Sequence, residues 1–201
     1  GFDSGSTDWR DSSFVGTASG TWSYSLGTGA LEDGTSYYVQ VYAVDLAGNS
    51  QAVLAKSTFT VDATSPTSRV MFPIEAGTPV YPSISVITGT ADDSLPGELD
   101  VVEIALTQTS GDGFPARWNG TSWVAGATPE LWLSSGVVNA VRMSTWTYTL
   151  PANIFSGKNN STFEVKARAR DKAGNKATDT GSTIDFQITT PAPEVTVVNP
   201  I

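Results

Sequence analysis

The sequence repeats itself, and the repeat is out of step with the ends of the chain. TWSYSL at 21–26 returns as TWTYTL at 145–150, and DLAGN at 45–49 returns as DKAGN at 171–175. Pro66 followed by TSRVMFPI returns as Pro193 followed by EVTVVNPI. These pairs lie 124, 126 and 127 residues apart. A slowly growing offset is what one unit copied with small loop insertions produces, so the expectation is an array. Three segments follow: 1–63 as the C-terminal part of one repeat, 64–190 as a complete repeat with a long inserted hairpin, and 191–201 as a linker and the first strand of a next repeat. WNGTSW at 118–123 matches the register of Gly1-Phe2, which places the start of the chain just after a lost WNGT. A half-unit cannot close its own core. Its missing strands are expected from flanking repeats of the same parent chain or from neighbouring copies in a fibre.

Composition excludes several chemistries. The 201 residues contain no cysteine and no histidine. A Ser-His-Asp triad and a zinc site of the usual kind therefore cannot be built. Twenty acidic against eleven basic residues leave a net charge of −9. Such a surface repels phosphate backbones, so nucleic acid is not an expected partner. No run of about 18 apolar residues is present, so no membrane-spanning helix is expected in this segment.

Period-two alternation dominates. In TFEVKARARD, Phe163, Val165, Ala167 and Ala169 share one face, and Glu164, Lys166, Arg168 and Arg170 share the other. This is the pattern of a half-buried antiparallel strand. DKAGN then makes a turn, and STIDFQI at 182–188 is the return strand. SISVITGTA at 83–91, LDVVEIALTQ at 99–108, STWTYTLP at 144–151 and the opening VMFP segment bring the count to roughly seven strands, as in a β-sandwich. The fold class expected is all-β, with Trp146, Phe163, Val165 and Ala167 in the core. Trp22 and Tyr24, like Trp146 and Tyr148, alternate on one strand face and are also expected inside.

The strand Tyr37, Val39, Val41, Ala43 followed by DLAGN restates the same strand and turn in the partial unit. Together with ITGTADDS at 87–94, ARWNGTSW at 116–123, VKARARDKAGN at 165–175 and FTVDATSP at 59–66, it resembles the bacterial and archaeal immunoglobulin-like tandem repeats of large cell-surface proteins. The resemblance implies tandem immunoglobulin-like β-sandwiches, one complete and one partial. It also implies an extracellular or cell-surface location and a structural or adhesive role rather than an enzymatic one.

Several residues are candidates for chemistry. About 35 residues separate Gln108 from Ser144, and they hold Phe114, Trp118, Trp123 and Trp132. WNGTSW reads as a hairpin tipped by Asn119-Gly120, and ELWLSS as a further edge strand. The three indoles could form a sugar-stacking platform, or they could pack as core and hairpin anchors. Asp92, Asp93, Glu98 and Asp100 crowd one loop. In a sandwich of this type Asp171 and Asp62 arrive at the same end, making Asp62, Asp92, Asp93 and Asp171 a candidate calcium site. Aspartate is also a common turn former. Asn119, Asn159 and Asn160 begin acceptor triplets for N-linked glycan. The outward row Tyr38, Gln40, Tyr42, Val44 is far more apolar than its counterpart Glu164, Lys166, Arg168, Arg170. Either a partner covers it, or these residues are simply good strand formers. The function expected is a structural segment that spans distance or assembles into a fibre or layer. The alternatives are a carbohydrate-binding or accessory module of a secreted polysaccharide-active enzyme, and an adhesin segment.

Overall fold

The structure is a computed structural model. It describes residues 9–17, 19–27, 29–74, 76–126, 129–140, 143–177 and 183–190, with backbone alone at 137–140. The expectations placed on Phe2 and on 191–201 lie outside the described residues. The chain divides into two compact units, Gly1–Ala63 and Thr64–Ile201. Both are built of strands, and no helix occurs among the described residues.

The described residues of the first unit form four strands: β1 (Ser13–Gly16), β2 (Gly20–Ser23), β3 (Ser36–Val41) and β4 (Ala55–Thr60). β1 and β2 form one antiparallel pair, with Phe14 opposite Trp22. β3 and β4 form another, with Tyr37 opposite Phe59 and Val39 opposite Ser57. None of the described residues of this unit is buried. Trp22 and Tyr24 are 45% and 47% exposed, against the sequence expectation of core. The reason is geometric: two-stranded sheets cannot enclose an apolar interior without further strands.

The described residues of the second unit form ten strands: β5 (Thr67–Phe72), β6 (Val80–Tyr81), β7 (Val86–Asp92), β8 (Leu99–Gln108), β9 (Ala116–Trp118), β10 (Trp123–Ala125), β11 (Leu133–Ala140), β12 (Ser144–Thr149), β13 (Ser161–Asp171) and β14 (Thr183–Ile188). Roughly seven were expected. The WNGTSW hairpin and the ELWLSS edge strand, expected beside those seven, supply β9, β10 and the start of β11, and β6 is only two residues long, too short to leave an alternating pattern. One sheet runs β10-β9-β8-β13-β14-β6, with β11 also on β8, and the other runs β12-β7-β5. Among the described residues only β14 and β6 pair in parallel. Ser68 on β5 donates to the Ala167 carbonyl of β13 at 3.0 Å, tying the two sheets together.

β13 buries every second residue, as its sequence alternation requires. Phe163, Val165, Ala167 and Ala169 point inward and meet Val70, Ile87 and Trp146 of the facing sheet in one core. Trp146 is 4% exposed. Its cross-strand partner is Gly89, and a Cβ there would strike the indole and the Arg69 carbonyl. The indole N–H donates to the Thr90 carbonyl at 3.1 Å. The WNGTSW hairpin forms as β9 and β10, with Trp118 opposite Trp123. The ELWLSS segment leads into β11, which pairs antiparallel with β8. Gln108 is buried at the root of the insert, where its side-chain N–H groups donate to the Ser110 and Asp112 carbonyls. Lys158 donates to its oxygen at 2.7 Å.

Candidate functional site

The outer face of the β8–β13 pair carries the most organised polar chemistry in the second unit. Cations project from β13 and its turn, and acids from β8 and the segment before β11. Arg168 lies directly opposite Glu103, and its Nε donates to the carboxylate at 2.7 Å. Arg170 donates through Nε and Nη2 to Asp100 Oδ2 at 3.1 and 2.7 Å. Lys172 pairs with Glu98, and Lys166 with Glu130 at 2.5 Å. The Glu130 hydrogen bond raises the Lys166 pKa above its ordinary value. The Arg168 guanidinium also lies over the Trp132 ring, 4.0 Å from its centroid. Read in sequence, Glu98 and Asp100 belonged to an acidic loop. In the structure they are spent on this row of ion pairs, because strand register sets them beside Arg170 and Lys172.

Asp93 and Asp171 do come together. Both are buried, and carboxylate oxygens of the two approach within 4.8 Å. Asp171 caps the DKAGN turn: its Oδ1 accepts from the N–H groups of Gly174 and Asn175, and its Oδ2 from the Asn175 side chain. Asp93 sits against Gly97, where a Cβ would collide with its carboxylate. Asp92 is exposed on the opposite side of β7, because one residue along a strand reverses the face. Asp62 is half-buried in the last residues of the first unit. The first unit repeats the turn chemistry at Asp45, whose Oδ1 accepts from Ala47 and Asn49 N–H and whose Oδ2 accepts from the Asn49 side chain. The Asn49 bonds hold the Asp45 carboxyl below its usual pKa.

The three indoles do not form an open platform. Trp118 is buried. Trp123 packs on Trp118 and Phe163, donates to the Ile154 carbonyl at 2.8 Å, and has the Lys158 ammonium 5.6 Å from its ring. Trp132 is occupied by Arg168.

The sequon asparagines are exposed but engaged. Asn119 Oδ1 accepts from Thr121 N–H, Thr121 Oγ1 and Ser122 N–H, which shapes the hairpin tip. Asn159 accepts from Thr190 N–H, and Asn160 from the Thr189 hydroxyl. The Ser161 hydroxyl of the Asn159 triplet is buried.

No protein-family model matches the chain, and no curated protein matches it.

Proposed function

We propose that this chain is a structural segment of a large extracellular surface protein, built from immunoglobulin-like tandem repeats that span distance or assemble into a fibre or layer. The observation that carries this reading is the recurrence of one local geometry in both units. Asp45 and Asp171 cap their turns with the same bonds. Gln51 N–H donates to Ala43 O at 3.0 Å, and Ala177 N–H donates to Ala169 O at 2.9 Å. Trp9 meets the outward row at Tyr42, and Trp132 meets it at Arg168. A solenoid-like array needs such a module repeated with its own internal bonds.

The second unit also suits a load-bearing link. The chain enters beside the Asp171 end of β13, where Ser68 bonds Ala167. It leaves β14 beside the other end, where Ile188 lies opposite Ser161. Eleven strand residues separate those ends, about 33 Å at a strand's rise. Force on the chain is then borne along β13 and shared by its paired neighbours. Immunogold labelling of intact source cells tests the location, with surface label expected. Label confined to the cytoplasm would end the proposal.

A further inference from the structure

Resting on that reading, we propose that the open edge of β3 is an acceptor for one extended protein segment of β8's kind. That segment is aliphatic toward Val39 and Val41 and uncharged opposite Tyr38, Gln40 and Tyr42. β13 has β14 on one side and β8 on the other. β3 has β4 on one side, and among the described residues no strand pairs with it on the other. The ladder fixes what that edge offers. Val61 N–H donates to Thr35 O at 3.0 Å. Alternation then gives the backbone groups of Tyr37, Val39 and Val41 to β4, and directs those of Ser36, Tyr38 and Gln40 to the open side. In the second unit the matching side of β13 is taken: Thr162 O accepts from Thr109 N–H at 2.8 Å, just past the end of β8.

The edge is also undefended. Strand edges are kept from pairing by charged residues, proline, bulges or short length. β3 is six residues, SYYVQV, with no charge, no proline and no register shift against β4. In the second unit β6 and β10 are two and three residues long, and β5 carries Arg69 and a register shift. The apolar side of β3 is open as well. Val39 is 39% exposed where its counterpart Val165 is 0% exposed. Trp22, Val39, Val41 and Ala55 line a shallow cavity in the first unit.

Register and charge define the occupant. The offset between the two turns sets Val39 and Val41 on Val165 and Ala167, and Tyr38, Gln40 and Tyr42 on Glu164, Lys166 and Arg168. β8 places Leu106 opposite Val165 and Ile104 opposite Ala167, with Thr107 and Ala105 opposite Glu164 and Lys166. It places Glu103 opposite Arg168 and bonds it there. β3 carries no cation at any of these positions, and Lys56 of β4 lies over the Tyr38 ring, 4.2 Å from its centroid. The occupant therefore keeps the pattern of IALTQ and has uncharged side chains where β8 has its acids. Backbone bonds to the edge supply affinity, and the alternate side chains supply selection.

The test adds two synthetic peptides to the full chain: LDVVEIALTQ, the sequence of 99–108, and its neutral form LNVVQIALTQ. Titration calorimetry reads affinity, and amide exchange reads the place of binding. The neutral peptide is expected to bind about tenfold tighter than the acidic one. It should slow exchange at Ser36, Tyr38 and Gln40 by about tenfold. Gln40→Pro removes an N–H from the open edge and leaves the β4 ladder intact. It should abolish binding while exchange at Tyr37 and Val39 stays as in the parent. Tyr42→Arg recreates the position of Arg168, and should turn the preference toward the acidic peptide. The inference is overturned if the neutral peptide fails to bind at about 1 mM. Equal affinity for both peptides overturns it, as does binding that survives Gln40→Pro or a preference that Tyr42→Arg leaves unchanged. So does an edge already protected without peptide, whether by the chain itself or by a second copy that raises the mass above 21.1 kDa. None of these results touches the surface reading, which stands or falls on the labelling of cells.

Discussion

Tyr37 stacks on Phe59 with ring centroids 5.9 Å apart and planes at 29°, and Phe163 stacks on Phe186 at 5.5 Å and 24°. Each pair is also a cross-strand pair, of β3 with β4 and of β13 with β14. The local relationship is the same, while the surroundings differ completely. Phe186 is fully buried, and Phe59 is 42% exposed. Stacking is thus set by the hairpin itself, whereas burial depends on what covers it.

That contrast yields a paired prediction. Phe163→Ala should destabilise the second unit by about 3–5 kcal/mol, the range for large aromatics removed from a packed core. Phe59→Ala should cost about 1 kcal/mol or less, since an exposed ring forfeits mainly its stacking partner. Urea unfolding followed by tryptophan fluorescence reads both. Equal losses would overturn the difference in burial.

Gly89 and Trp146 form a second test. Gly89→Ala places a methyl group where the indole lies, which should cost about 1–3 kcal/mol as overpacking does. Trp146→Ala should cost about 3–5 kcal/mol through the cavity it leaves. In the double variant the clash with the indole is relieved while that with the Arg69 carbonyl remains, so the losses should fall short of additive by about 1 kcal/mol. Full additivity would show that the glycine serves something other than the indole.

The ion-pair row predicts an alkaline limb. The Lys166 pKa is raised in the folded protein by Glu130, so its contribution is fully present below the unfolded lysine pKa, near about 10.4. It is lost as pH rises through the folded value. Thermal melts between pH 9 and pH 11 should fall more steeply for the parent than for Lys166→Met. Parallel curves would remove Lys166 from the account. Arg168→Lys should cost more than a typical exposed pair, because it gives up both the directed Glu103 bond and the stacking on Trp132.

Much of the second unit was legible in the sequence, because the alternation on β13 is unbroken over its whole length and its periodicity names the buried face directly. The DKAGN turn and the WNGTSW hairpin were legible from their turn residues, and β8 from its apolar run rather than from alternation, since most of its residues are buried. What was not legible depends on register. Nothing local to Glu98 or Asp100 says that they face Lys172 and Arg170 from seventy residues away. Gly89 looked like an ordinary glycine in a strand until Trp146 was set opposite it. Trp22 and Tyr24 read as core because alternation reports which residues share a face, not whether anything lies over that face. Aromatic clustering in sequence likewise does not distinguish display from packing, and the rings of Trp118 and Trp123 pack on each other.

Asp93 and Asp171 set the last prediction. Two buried carboxylates within 4.8 Å repel one another, and a cation between them relieves that repulsion. Calcium suits hard oxygen ligands of this kind. We expect millimolar calcium to raise the melting temperature and chelation to lower it. Asp93→Asn removes one charge of the pair. In chelator it should therefore be at least as stable as the parent, and its melting temperature should no longer respond to calcium. Asp92→Asn, on the exposed face of β7, should leave the response intact. A parent protein whose melting temperature and calorimetric titration show no effect of millimolar calcium would rule out the cation.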